Sequence, residues 1–151
     1  MDFHLNSLLN LPSTTIFTSY KKAGFTFLQL HLLSEGINCS NCRNYTDTTH
    51  QTSHTLIRDL SIFGSRVYLK IPRRKFYCSN CQKYPTEQLV WVEKRQRCTE
   101  RYQEYIYERV KESSCEQVSR NEDLSPEQIQ RIFSRIAERE LKKKTGELQN
   151  A

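Results

Sequence analysis

Cys39-Ser40-Asn41-Cys42 and Cys78-Ser79-Asn80-Cys81 are the same four letters, CSNC, at two places in the chain. A C-x-x-C loop points two sulfurs at one centre, and two such loops complete a tetrahedral zinc site with Zn–S distances of about 2.3 Å. Four thiolates leave no open position on the metal for water or substrate, so the role of such a site is structural. We therefore predict one Zn²⁺ held by Cys39, Cys42, Cys78 and Cys81.

Two other uses of paired cysteines compete with zinc. Stable disulfides are not expected, because the N-terminal sequence does not have the pattern of a secretory signal. A thioredoxin-like redox pair would lie at a strand-to-helix turn, whereas here the motif occurs twice and its flanks have strand character. The 35 residues between the pairs exceed the usual spacing of short zinc ribbons, but the entropy of loop closure grows only logarithmically with length.

The remaining cysteines and histidines are weaker candidates. Cys98 and Cys115 have no C-x-x-C partner, so we interpret them as free thiols. His50 and His54 are alternative zinc ligands, although a position in a loop or on a strand surface is favoured.

Alternating apolar residues predict strands between and before the cysteine pairs. Residues 14–20 are rich in β-branched and aromatic side chains, and residues 25–33 have leucines at period two. Residues 55–60 and 66–72 are further strands around a turn at Phe63-Gly64-Ser65, and the polar residues 45–53 are a loop or a ragged edge strand. These segments predict a small antiparallel β unit of zinc-ribbon type.

Beyond Trp91 the pattern changes to helical periodicity. A first helix is capped by Thr99, and a short second helix begins at Ser113 or Ser114. The stretch Ser125-Pro126-Glu127-Gln128 is a capping box with proline at the first helical position. The pattern from Ser113 to about Ile136 predicts a helix-turn-helix, with a generic pair of packed helices as the alternative. The helix is expected to end near the run Lys142-Lys143-Lys144, with Gly146 beyond it.

The positive charge is concentrated in one segment. The net charge is +6, and residues 58–101 alone hold eleven bases against four acids. A concentrated basic patch is the footprint of a surface that binds a polyanion, and the alternative is a solvated face that serves solubility. The candidate phosphate contacts are Arg66, Lys70, Arg73, Arg74, Lys75, Lys94, Arg95 and Arg97.

The start of the third helix holds the candidates for reading bases. Gln128 is suited to adenine, Arg131 to guanine or a phosphate, and Glu127 to cytosine. Arg135 lies on the same outward face in the predicted helix. A solvated polar face is the alternative for each of these residues.

In their order along the chain, these features resemble the N-terminal region of insertion-sequence transposases of the IS-L-three family. The specific part is Arg58-Asp59-Leu60 joined to the basic and aromatic stretch Arg73-Arg74-Lys75-Phe76-Tyr77 that enters the second cysteine pair. The resemblance implies a zinc-finger domain and a helix-turn-helix that together recognise the terminal repeats of the element. Ser119 and Asn121 depart from the small residues usual in such a turn.

The resemblance also implies a catalytic domain with an Asp-Asp-Glu triad, and that domain would follow the 151 residues of this sequence. Such a site needs carboxylates from separate elements to hold two metal ions. The four aspartates of the sequence are scattered through the zinc-binding and helical regions: Asp2, Asp47, Asp59 and Asp123. We therefore expect no catalytic residues here and no cutting of DNA by this chain.

The sequence thus predicts an α+β protein with a zinc-binding β domain over residues 1–95, a helical domain over 98–145 and a tail over 146–151. The expected partner is double-stranded DNA, with self-association left open, no small-molecule substrate and no membrane, because no apolar run approaches about 20 residues. The expected location is the bacterial cytoplasm, at the nucleoid. The rival hypotheses are a zinc-scaffold module that binds proteins, a truncated transposase that competes as a repressor, and a nuclease complete in this chain.

Overall fold

The structure, a computed structural model, describes residues 3–149 and confirms the α+β class. The chain divides into two compact units, one up to Thr99 and one from Glu100 onwards. The first unit contains helix α1 (Phe3–Leu9) and strands β1 (Thr14–Lys22), β2 (Phe25–Leu32), β3 (Ile37–Asn38), β4 (Tyr45–Thr46), β5 (Thr49–Ile62) and β6 (Ser65–Phe76). The second contains helices α2 (Glu100–Glu112), α3 (Cys115–Glu122) and α4 (Pro126–Gln149).

The main sheet has four strands in the order β1-β2-β6-β5, and β3 pairs with β4 in a separate two-stranded sheet. The pairs β1–β2 and β5–β6 are antiparallel hairpins, as predicted. The prediction of a purely antiparallel unit is wrong for the central pair, because β2 and β6 run parallel from Phe25↔Arg66 to Gln29↔Lys70. Parallel neighbours need a long connection between them, and the segment from residue 33 to residue 64 provides it.

Strand β5 includes most of the polar segment 45–53, for which the sequence left a loop or a ragged edge strand open, and it lies at the edge of the sheet. It begins at Thr49 and pairs with the last part of β6 through positions such as His54↔Pro72 and Thr49↔Phe76. Residues 49–54 are all exposed on this strand, so they lack the apolar alternation by which a half-buried strand is identified. Pairing with β6 orders a segment whose own sequence resembles a loop.

The core of the first unit lies on one face of the sheet. Val67, Leu69 and Ile71 alternate along β6 and are at most 2% exposed, which confirms the predicted period of two. They form one cluster with Leu28 and Leu30 of β2, and the cluster is covered by Leu9 and Trp91. The core is small, and small domains of this kind often need a bound metal ion to supply the stability that their apolar core lacks.

The helical unit follows the predicted capping pattern closely. The side chain of Ser125 accepts a hydrogen bond from the Gln128 backbone N–H, and the Gln128 side chain accepts one from the Ser125 N–H. This reciprocal pair is the capping box, and it starts α4 at Pro126 as predicted. Ser114 caps α3 with a single bond of this kind, which its side chain accepts from the Gln117 N–H. The turn between α3 and α4 is closed by the Ser119 hydroxyl, which donates to the Leu124 carbonyl.

The predicted end of the last helix is wrong. Helix α4 continues past Lys142-Lys143-Lys144 and through Gly146 to Gln149. A glycine inside a helix costs only about 1 kcal/mol relative to alanine, and the lysines and glutamates around it are good helix formers. Among the helices that the structure describes over residues 3–149, none is long and apolar enough to span a bilayer.

Candidate metal centre and nucleic-acid interface

The two CSNC stretches fold into loops of the same local structure. The first lies between β3 and β4, where the Cys39 N–H donates to Asn44 O and the Arg43 N–H donates back to Cys39 O, both at 2.8 Å. The second follows β6 and repeats the pattern, with Cys78 N to Lys83 O at 2.9 Å and Gln82 N to Cys78 O at 2.8 Å. Arg43 and Gln82 also share a left-handed backbone, with φ of 64° and 57°. The repeated sequence is therefore a repeated knuckle.

The fold brings the four predicted sulfurs together. The distance from Cys39 Sγ to Cys81 Sγ is 3.6 Å, and that from Cys42 Sγ to Cys78 Sγ is 3.5 Å. All four sulfurs lie within 4.8 Å of one another. A tetrahedral zinc with sulfurs at 2.3 Å places them about 3.8 Å apart, so this all-thiolate donor set fits the ion. The six cysteines are all free thiols, which argues against disulfides.

Hydrogen bonds to the sulfurs prepare two of the cysteines for deprotonation. The backbone N–H groups of Cys42 and Asn41 point at Cys39 and lower the pKa of its thiol. The side chain of Asn80, and after it the backbone N–H of Asn44, lower the pKa of Cys42 to about 6. Asn41 and Asn80, the asparagines of the two Ser-Asn dipeptides, supply two of these donors. Metal binding requires thiolates, and these contacts favour that form at Cys39 and Cys42.

The pKa of Cys78 moves in the opposite direction. The backbone N–H of Cys81 lowers it, but burial and the neighbouring thiol of Cys42 outweigh that contact and raise the pKa to about 11. Four crowded sulfurs cannot all carry negative charge unless a cation balances them. The cluster is thus a site whose full ionisation needs a metal ion.

The segments around the knuckles are tied to one another. The Thr46 hydroxyl donates to the Tyr77 carbonyl, and the Tyr77 N–H donates to the Thr48 carbonyl at 2.8 Å. Gly36 precedes the first knuckle, and a Cβ at this position would collide with the Thr46 carbonyl and the Tyr45 ring. Only glycine lets the chain pass this point, so the register of the first knuckle depends on it.

The other predicted thiols and imidazoles lie outside the cluster. Cys98 is half-buried next to β5, and burial raises the pKa of its thiol to about 11. Cys115 contacts Gln130 in the helical unit. His50 packs against the Tyr84 ring, and His54 lines a groove beside β5. Within the described residues, the cluster that can hold a metal contains cysteines alone.

Four of the predicted phosphate contacts converge on one groove. The groove has a volume of about 580 Å³ and lies along β5 and the end of β6. Arg73 lines it from β6, and Lys94, Arg95 and Arg97 line it from the loop that follows Trp91. All four are exposed. We refer to these four residues and the surface between them as the basic groove.

The loop that carries three of these cations is fixed at both ends. Leu89, Trp91 and Val92 pack into the core cluster. Further along, the Arg58 N–H donates to the Arg97 carbonyl at 2.9 Å, and the Thr99 N–H donates to the Arg58 carbonyl at 3.0 Å. Backbone pairing with β5 therefore holds the cations of the loop at the edge of the groove.

Three of the predicted phosphate contacts lie elsewhere on the first unit. Arg66 and Lys70 alternate with the buried residues of β6, so they lie on the face of the sheet opposite the core. The Arg66 guanidinium lies over the Phe25 ring, 5.9 Å from its centroid. Lys75 is exposed and lines a smaller hollow of about 240 Å³ that it shares with Arg73.

The eighth predicted contact, Arg74, is held inside the protein. Its guanidinium makes two hydrogen bonds to Glu87, at 2.8 and 2.7 Å, and lies over the Phe76 ring. Only 15% of the Arg74 side chain and 8% of the Glu87 side chain are exposed. A paired and largely buried guanidinium contributes its charge to a fixed ion pair, so this arginine positions the segment that follows the second knuckle.

In the helical unit, Gln128 and Arg131 are exposed on the first turns of α4 as predicted. The amide oxygen of Gln128 accepts from the Ser125 N–H at 2.9 Å. This use in the cap competes with a bidentate contact to adenine, which requires both the oxygen and the nitrogen of the amide. Arg131 is left as the exposed cation at the start of this helix.

The prediction that Arg135 faces outward is wrong. Its two terminal nitrogens bind the Gln103 side chain at 2.7 Å and Glu100 at 2.9 Å, so it links α4 to α2. Arg139, one turn later, binds Glu100 at 2.7 Å and Glu104 at 3.0 Å. Helical periodicity locates the residue on a face of α4 but does not show that α2 presents acceptors to that face.

The Glu100 network makes a prediction about acid stability. Burial would raise the pKa of Glu100, but the hydrogen bonds from Arg139 and Arg135 outweigh it and lower the pKa below its ordinary value of 4.5. A lowered pKa adds stability that is full above about 4.5 and is lost as the pH falls through the lower folded value. We expect Glu100→Gln to lower the melting temperature of the helices near neutral pH and to flatten its decline in acid.

Circular dichroism at 222 nm, recorded from pH 7 to pH 3, measures this effect. The fluorescence of Trp91, the single tryptophan, reports the first unit separately. Glu116→Gln is a control for the loss of one exposed carboxylate. An equal decline with pH in Glu100→Gln and in the unsubstituted chain would contradict the assigned role.

The Arg58-Asp59-Leu60 element has a structural role that the sequence analysis did not assign. Asp59 is 2% exposed and accepts a hydrogen bond from the Thr99 hydroxyl at 2.8 Å. Arg58 is 3% exposed and its guanidinium lies over the rings of Phe25 and Tyr68. Two adjacent charged residues within a strand of apolar neighbours are the signal by which these buried contacts can be recognised.

A zinc-type knuckle pair followed by a capped helix-turn-helix defines a class of DNA-binding proteins. Comparison with protein families gives the same order of parts. Residues 35–81 match the zinc-finger of transposases IS204/IS1001/IS1096/IS1165, and residues 87–137 match the helix-turn-helix domain of transposase family ISL3. The chain carries the N-terminal DNA-binding region of an ISL3-family transposase, and the zinc-finger match together with the four-cysteine cluster supports a structural zinc.

A curated relative agrees with this family. The chain is 33% identical over 82 residues to a protein named transposase for insertion sequence element IS1001, from Bordetella parapertussis. The matched segment is 54% of this chain and 20% of the relative, so the chain spans only a small part of the length of that transposase. No solved structure matches the chain.

Proposed function

We propose that this chain recognises the ends of its transposable element by binding double-stranded DNA with both units. The observation that supports the proposal is the basic groove, where cations from two separate stretches of sequence meet on one surface. Phosphate contacts set the affinity and the position of a protein on DNA, and base contacts set its sequence preference. The basic groove is suited to the first task and helix α4 to the second.

We assign the metal to Cys39, Cys42, Cys78 and Cys81. The ion would link the β3–β4 hairpin to the loop after β6, because each knuckle contributes two sulfurs. Four thiolates fill its coordination, so it would supply stability rather than a reactive water. It would hold the end of β6, and with it Arg73, against the rest of the unit.

Base contacts are proposed for the exposed start of α4. Arg131 is the candidate for a contact to guanine or to a phosphate, and Gln128 is secondary because its oxygen serves the cap. Lys75 extends the phosphate-binding surface beside Arg73, and Arg66 and Lys70 belong to the opposite face of the sheet.

Catalysis is not assigned to these residues. Asp59 is buried and bonded to Thr99, and within the described residues the cluster that can hold a metal ion contains cysteines and no carboxylate. That this chain does not cut DNA stays a prediction. So do its location at the bacterial nucleoid in the cytoplasm and its self-association.

The proposal is tested by the dependence of DNA affinity on salt. A protein that neutralises Z phosphates loses affinity with a slope of about −0.9Z on a double-logarithmic plot of affinity against salt. The four cations of the basic groove therefore predict a slope of about −4 for a 30-base-pair duplex taken from the end of the element. Fluorescence anisotropy at several salt concentrations measures it, with a scrambled duplex as the control for sequence preference.

Either of two results would contradict the proposal. A flat response to salt, or no binding of duplex DNA by zinc-loaded protein, would favour the rival interpretation as a zinc-scaffold module for protein partners. Equal affinity for the end duplex and the scrambled duplex would remove the recognition of ends and leave general DNA binding.

A further inference from the structure

The hairpin turn between β5 and β6 carries an aromatic side chain in an unfavourable position. Phe63 and Gly64 have φ of 48° and 77°, so both central residues of the turn are left-handed, as in a type I′ hairpin. Asparagine followed by glycine is preferred at these two positions, and a bulky residue at the first of them is an outlier. The fold adopts this turn although Phe63 is poorly suited to it.

Packing within the chain does not explain the phenylalanine. Phe63 is 95% exposed, the largest exposed fraction among the large hydrophobic residues of the described chain. A side chain with so little contact adds almost nothing to the stability of the fold, while its backbone conformation carries a cost. A residue that is unfavourable for its own backbone conformation, and that makes no stabilising contact in exchange, is a candidate for a functional role.

The surroundings of Phe63 are positively charged. The parallel pairing of Phe25 with Arg66 and the 2.7 Å hydrogen bond between the Thr26 and Ser65 hydroxyls place the tips of the two hairpins side by side. The exposed Lys21 and Lys22 lie at the tip of the β1–β2 hairpin. Within residues 20–27 and 59–68 the one carboxylate is Asp59, which is buried.

We propose that Phe63 is a wedge that inserts between base pairs of duplex DNA and bends it. Proteins that bend DNA insert apolar side chains at a base step while neighbouring cations bind the phosphates, and the hairpin tip presents one apolar ring beside two lysines. The charge of the tip favours a polyanion over an apolar protein surface. This inference rests on the proposed DNA binding and adds a specific mode of contact to it.

The wedge is separate from the basic groove. Arg73 follows Gly64 by nine residues along β6, roughly 30 Å in an extended strand, and Arg97 is hydrogen-bonded to Arg58, which precedes Phe63 by five residues, roughly 16 Å along β5. A substitution at the tip therefore leaves the groove intact. For the same reason the loss of DNA bending can be distinguished from the loss of DNA binding.

The test uses the zinc-loaded full chain and a 30-base-pair duplex with a donor and an acceptor dye at its two ends. Unsubstituted protein should raise energy transfer, because bending brings the ends together. Phe63→Asn should abolish that rise and weaken binding about tenfold, as expected for the loss of one stacking contact. Its salt slope should stay unchanged because no charge is removed, and its melting temperature should equal or exceed that of the parent because asparagine suits the turn.

Phe17→Asn is the matched control, since Phe17 is another exposed aromatic, at 62%, in a strand of the same sheet. This variant should bind and bend DNA like the parent. If the parent binds DNA but Phe63→Asn binds and bends it equally well, the wedge is refuted while the proposed function stands. If Phe63→Asn instead converts a dimer into a monomer with DNA bending intact, the tip is a self-association surface and the wedge is also refuted. Failure of the parent to bind any duplex would refute both.

Discussion

We expect Cys78→Ser to unfold the zinc-ribbon unit and to abolish zinc binding. Cys78 is 1% exposed, and its sulfur is one of the four in the cluster, 3.5 Å from Cys42 Sγ. Structural zinc contributes about 10–16 kcal/mol in small zinc-binding peptides, whereas the net stability of a domain is about 5–15 kcal/mol. Losing one ligand therefore costs a free energy comparable to the entire free energy of unfolding of the unit.

Native mass spectrometry should show one zinc per chain in the parent protein and none in the variant. The fluorescence of Trp91, which packs in the core of this unit, should shift to that of a solvent-exposed indole. Cys98→Ser is the matched control, because Cys98 is a partly buried cysteine outside the cluster. If Cys78→Ser treated with a chelator melts at the same temperature as the untreated, zinc-loaded parent, the structural role of the metal is refuted.

The second large effect is expected from the basic groove. The triple variant Lys94→Gln, Arg95→Gln and Arg97→Gln should bind duplex DNA several hundred-fold more weakly at 0.1 M salt, because each lost phosphate contact removes about 0.9 from the salt slope. Glutamine removes the charge but retains much of the aliphatic part of each side chain, so the packing of the loop is preserved. The backbone contact of Arg97 with Arg58 is also retained.

The control removes the same number of charges elsewhere. Lys142→Gln, Lys143→Gln and Lys144→Gln neutralise three lysines in the later part of α4, well beyond the exposed first turns proposed to read bases. We expect this variant to lose less than tenfold in affinity and to keep most of the salt slope. Similar losses in the two triple variants would mean that total charge controls binding, and the groove would lose its special role.

The local signals of the sequence were informative where a short stretch controls its own geometry. The two CSNC loops form the same knuckle because each closes its own hydrogen bonds. The capping box at Ser125 likewise forms from residues three apart in the chain. The alternation along β6 follows from the geometry of a strand with one buried face. Such features need no knowledge of distant partners.

Other features depended on partners that are distant in sequence. Strand β5 extends through a polar segment because β6 offers it a pairing edge. Arg74 and Arg135 had the charge expected of DNA contacts, yet Glu87 and Glu100 bind them. A charge pattern shows that a residue is cationic, but which acidic side chain lies within about 3 Å is decided by the packing of other elements.

The sequence by itself determined the zinc-binding residue types, the helix-turn-helix and the order of the two parts, because each depends on spacing within one short segment. Only the tertiary structure decided that β2 and β6 run parallel and that Arg73 joins Lys94, Arg95 and Arg97 in one groove. It also placed the Phe63 turn beside the lysines of the first hairpin. These results depend on how separate strands pair, and the free energy of that pairing is shared among residues far apart along the chain.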